Sequence, residues 1–67
     1  MGGGMNMTRF TFVKIYADED RVFVAGCTDD EEITISNHPN TALGRTTAER
    51  NAANVAAGHG CAYGWNT

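Results

Sequence analysis

Seven of the eight carboxylates in this chain fall in two short runs, Asp18-Glu19-Asp20 and Asp29-Asp30-Glu31-Glu32. Clustered carboxylates suit two chemistries. They can hold a hard cation, or they can imitate a row of phosphates and compete for the basic nucleic-acid groove of another protein. The alternation of a calcium loop, D-x-D-x-D-G with a terminal glutamate, is absent, which leaves mimicry as the functional expectation. The plain alternative is that acids at hairpin tips keep turns solvated and sheet edges from pairing with other chains.

Cys27, His38, His59 and Cys61 are the ligand types zinc takes, but no C-x2-C or H-x3-5-H pair exists, so buried thiols and loop histidines are the better reading. Ser36 is the only serine, and with His38 it lacks the orienting acid of a nucleophile–base system. So small a chain offers little surface for a cleft; no enzyme, cofactor or resident metal is expected. Tyr63 and Trp65, separated by Gly64, suit either an interface anchor or a lid on a thin core.

Eight acids against five bases give a net charge of −3 and a pI near 5.0. That balance excludes nucleic acid as a direct partner and makes a basic protein surface the expected one. No apolar run approaches a membrane span and no signal peptide is legible, so the expectation is a cytoplasmic protein, monomer or homodimer. Two cysteines are too few for a disulfide scaffold, and thiols are expected.

At 67 residues the chain carries one domain. Nine of its 28 apolar residues are alanine, so the core is expected to lean on Phe10, Phe12, Tyr16, Phe23, Tyr63 and Trp65. Residues 1–7 look like a flexible leader or a cloning scar, and 8–67 form the domain.

Thr8 to Tyr16 is dense in β-branched and aromatic types and reads as a first strand. Phe10, Phe12, Lys14 and Tyr16 lie on one face and Thr11, Val13 and Ile15 on the other. Apolar groups on both faces indicate a central position or partial cover on the second face. A second strand is expected at Arg21 to Ala25, and a third from Glu31 to Ser36 with Ile33 and Ile35 inward and Thr34 and Ser36 outward. Asn37 to Asn40, a cluster of turn formers, should interrupt the sheet. A five-residue middle strand would set the two acidic runs roughly 15 to 20 Å apart.

Thr46 with Glu49 fits a capping box and predicts a helix from there to Gly58 as C-cap, with Gly60 as a second break. Ala48, Ala52, Val55 and Ala56 make its narrow inner face; Glu49, Arg50, Asn51 and Asn54 face water. Cys61 to Trp65 alternates, as a short fourth strand would or a tail packed over the helix end. The expected fold is α+β: a three- or four-stranded antiparallel meander with one helix on one face.

Three strands followed by a small-faced helix resemble the β-β-β-α half of double-stranded RNA-binding domains, over about 50 residues. That family starts its helix with phosphate-binding lysines, whereas this chain has Thr46, Thr47 and Glu49 there with a single Arg50. In size, acidity and paired acidic turns the chain also resembles, at class level and without a shared motif, the small phage-encoded anti-CRISPR inhibitors. This second resemblance implies a non-enzymatic inhibitor that covers the DNA-binding surface of a CRISPR effector. Asp29, Asp30, Glu31 and Glu32 would be the main contacts, assisted by Asp18, Glu19 and Asp20. The rival expectation is a small assembly module that dimerises through a sheet edge or the Tyr63 and Trp65 region.

Overall fold

The computed structural model describes residues 9–66; the expected leader lies outside the described residues. The chain runs β1 (Phe12–Ala17), β2 (Arg21–Cys27), β3 (Glu32–Pro39), α1 (Ala42–His59) and β4 (Ala62–Trp65). One sheet holds all four strands in the order β3-β2-β1-β4. The fold is α+β, as the residue pattern predicts. The meander is only partial, because β4 pairs with β1 in parallel, Val13 opposite Tyr63 and Ile15 opposite Trp65. A parallel neighbour needs a crossover, and α1 supplies it by running from one sheet edge to the other.

The helix covers the Val13 and Ile15 face. Val13, Ile15, Val22 and Val24 are fully buried there beneath Ala48, Ala52 and Ala56. The expectation of an aromatic core is therefore wrong: no aromatic residue is fully buried among the described residues. A helix that presents only small side chains comes close enough to the sheet for β-branched residues to fill the space. Gly44 begins that stripe, four residues before Ala48, and a Cβ there would overlap the Pro39 carbonyl oxygen. Two of the aromatic residues, Phe10 and Trp65, pack against this core while only partly buried, Phe10 lying over Gly26 and stacking on His59 with ring centroids 4.4 Å apart.

Several boundaries differ from the residue pattern: β1 begins at Phe12, later than the expected start, and β2 runs on to Cys27 instead of stopping at Ala25. β3 runs on through Pro39 as an edge strand, where a missing N–H costs nothing. Val24 pairs with Ser36 but Ala25 with Thr34, so Ile35 is an extra residue that inverts the alternation. Ser36 and His38 consequently face the helix, while Ile33 and Ile35 are 38% and 37% exposed. The helix starts at Thr41 rather than Thr46: the Thr41 hydroxyl accepts the Gly44 amide at 3.0 Å. Thr46 donates back to the Ala42 carbonyl inside the helix instead. At the other end Gly60, with φ of 66°, is the left-handed cap, and Gly58 lies within the helix.

Candidate functional site

Both acidic runs sit on hairpin turns built alike. In the first, Asp18 donates its amide to the Arg21 carbonyl at 2.9 Å, and its Oδ1 accepts the amides of Asp20 and Arg21, each at 2.8 Å. In the second, Thr28 donates its amide to the Glu31 carbonyl at 2.9 Å, and its Oγ1 accepts from Asp30 at 3.3 Å and Glu31 at 3.1 Å. A short polar side chain thus ties down each turn from within. Asn40 secures the first turn further, through its amide to the Asp20 carbonyl and its Nδ2 to the Asp18 carbonyl.

Two of the seven acids have internal work. The Asp18 carboxylate, held by the Arg21 and Asp20 amides, titrates below its ordinary value. Glu32 pairs with Lys14 at 2.7 Å, and this hydrogen-bonded contact raises the lysine above its ordinary value. The side chains of Glu19, Asp20, Asp29, Asp30 and Glu31 are exposed, and no ion pair engages them among the described residues. The turns lie at opposite ends of β2, whose seven residues separate them by about 20 Å at ~3.3 Å per residue.

The sheet face away from the helix carries Phe12, Lys14 and Tyr16 from β1 and Arg21, Phe23, Ala25 and Cys27 from β2. Tyr16 and Phe23 stack with centroids 5.2 Å apart. Phe12, 38% exposed, lies beside Gly64, where an added Cβ would stand 3.7 Å from the ring. Lys14 is opposite Ala25 and reaches Glu32 on β3, so its alkyl stem crosses β2 and closes Ala25 off from water. Arg21 donates to Asn37 Oδ1.

The other candidates do not converge. Ser36 Oγ stands 3.1 Å from His38 Nε2 and donates to Asn51 Oδ1 at 3.1 Å. The hydroxyl proton goes to the amide oxygen, so the imidazole contributes its N–H and the chain of bonds acts as a strut between β3 and α1. Asn51, expected to face water, is half-buried in it. His59 sits at the far helix end, its Nδ1 accepting the Phe10 amide at 3.1 Å. Cys27 and Cys61 are free thiols, Cys27 on the open face and Cys61 against the core. Among the described residues no group of three or more His, Cys, Asp or Glu could hold a metal ion. Nor is any described helix long and apolar enough to cross a membrane.

Comparison with protein-family models, with curated proteins and with solved structures gives no match to this chain.

Proposed function

We propose that this protein is a non-enzymatic inhibitor of phage type, acting in the host cytoplasm, whose acidic turns occupy the basic DNA-binding surface of a defence complex such as a CRISPR effector. Asp29, Asp30 and Glu31 at one end, with Glu32 beside them, and Glu19 and Asp20 at the other are the contacts; Asp18 shapes its turn. The observation that carries this reading is the pair of braced turns presenting five uncompensated carboxylates from opposite ends of one strand. Braced acids lose little freedom on binding, and their field steers a basic partner at low salt.

The sheet edges count against the rival reading of an edge-paired dimer. β3 is bulged at Ile35 and ends in Pro39, and β4 is four residues long, all features that blunt edge pairing. The test is capture of an effector complex by tagged protein at about 0.1 M and about 0.5 M salt, with Glu19→Gln, Asp20→Asn, Asp29→Asn, Asp30→Asn and Glu31→Gln combined as the control. Capture at low salt, lost at high salt and in the neutralised variant, is the expected result. Recovery of the protein alone, sedimenting as a dimer that neutralisation does not disturb, would transfer the assignment to self-assembly.

A further inference from the structure

Among the described residues, only one face of the sheet is covered. The other presents Phe12, Tyr16 and Phe23 between the two acidic turns. We propose that this face is a docking surface for a protein segment that is apolar in its middle and basic at both ends, lying along β1 and β2; the inference rests on the acidic-turn reading above and adds a second, apolar component to it.

Charge selects the occupant. Within the face, Lys14 is paired with Glu32; Arg21, bonded to the neutral Asn37, keeps its charge but stands at the end of β2 beside the Asp18–Asp20 turn, so among the described residues the centre offers no uncompensated cation. Beyond each end stand free carboxylates, Glu19 and Asp20 at one and Asp29, Asp30 and Glu31 at the other. Phosphates would meet this negative rim at both ends, so a nucleic acid is disfavoured. A second copy is disfavoured as well. Stacking two such sheets with strands aligned in either direction sets an acidic turn against an acidic turn. Four strands ~4.8 Å apart and about 20 Å long also offer roughly 400 Å² per partner, half of what a stable interface uses. An extended segment of six or seven residues spans about 20 Å, which places basic side chains at its two ends over the two turns. Its apolar middle would cover Phe12, Tyr16 and Phe23.

The test uses two synthetic peptides of about nine residues. One has paired lysines flanking a Val, Leu and Phe centre; the other is lysine throughout. Binding is followed through backbone amide shifts of the isotope-labelled full chain. The apolar-centred peptide should move the amides of Phe12, Tyr16 and Phe23 together with those of both turns, and bind about tenfold tighter than polylysine. Phe12→Thr should erase most of that difference, and Phe12→Thr with Phe23→Thr all of it; melting curves that match the parent verify that both variants fold. Equal affinity for the two peptides, with shifts confined to the turns, would overturn the docking face and leave the acidic reading standing. Tight binding of the apolar-centred peptide that survives neutralisation of the five acids would remove the basic ends from the proposal and the acidic reading with them. No shift with either peptide at millimolar concentration would overturn both.

Discussion

Trp65 Nε1 donates to Glu49 Oε2 at 2.7 Å, and Arg45 lies over the same indole with its guanidinium carbon 4.6 Å from the ring centroid. Two helix residues one turn apart therefore grip the last strand through one ring, Arg45 over its face and Glu49 at its N–H edge. Glu49 serves the C-terminal end of the sheet and not the start of the helix. Glu49→Gln keeps an acceptor but loses the charge, and Glu49→Ala loses both. Glu49→Ala should cost about 1 kcal/mol. It should also accelerate amide exchange at Gly64 and Trp65 while leaving the first helical turn unchanged. Faster exchange at the Thr46 amide instead would restore the capping role.

Gly44→Ala forces a methyl group into the Pro39 carbonyl oxygen, a backbone atom that cannot swing aside. In an ordinary helix this change would stabilise by up to about 1 kcal/mol. Here it should destabilise by about 1–3 kcal/mol, as overpacking does, measurable by urea denaturation. The sign alone decides whether the helix start rests on β3 as described.

Ile15 and Phe12 test which face of β1 is the core. Ile15→Ala empties a fully buried site and should cost about 2–5 kcal/mol, enough to unfold much of a domain this small. Phe12→Thr, at a 38% exposed position with a good strand former, should change the melting temperature little. The reverse order would place the helix on the aromatic face.

Acid should loosen the first turn through Asp18. The Arg21 and Asp20 amides hold its folded-state carboxyl below the ordinary aspartate value, so the stabilisation it gives is complete above that ordinary value and is lost as pH falls through the lower folded one. Asp18→Asn cannot gain or lose that proton. The parent and the variant should therefore converge in urea midpoint as pH drops from 5 towards 2, the parent being the more stable at the upper end. Parallel curves would show that the two amides do not favour the charged carboxylate.

Thr28→Val removes the hydroxyl that ties Asp30 and Glu31 while keeping the side chain's shape and β-branching. A loss of about 1 kcal/mol is expected. In the capture experiment this variant should bind several-fold more weakly than the parent although no charge has changed, because the acids beyond Thr28 lose their bracing.

The order of elements, both acidic turns and the alanine stripe of the helix were legible because each depends on neighbours in sequence. Ala48, Ala52 and Ala56 repeat at one-turn spacing, and Asp18 and Thr28 close turns three residues ahead. What eluded the residue pattern depends on distant contacts. β1 is apolar on both faces, and only the approach of α1 selects Val13 and Ile15 over Phe12 and Tyr16. Ile33, Thr34, Ile35 and Ser36 alternate faultlessly, yet the bulge at Ile35 inverts the phase for Ser36 and His38. Thr41 and Thr46 both precede helical sequence; what separates them is the close seat of Gly44 on Pro39 and the claim of Trp65 on Glu49. Neither signal is local. The five exposed acids of the candidate site were visible in the sequence. The internal duties of Asp18 and Glu32 required coordinates.

The parallel pairing of β4 with β1 gives the molecule a direction. The chain enters β1 at Phe12, beside Cys27 and hence beside the Asp29–Glu31 turn, and leaves β4 past Trp65, where the Asn66 amide donates to the Ile15 carbonyl near the Asp18–Asp20 turn. A bulky label carried on Thr11, just ahead of β1, therefore stands guard over one acidic turn, and the same label on Asn66, just after β4, over the other. Moving it between these two positions would block the two poles one at a time with every carboxylate kept.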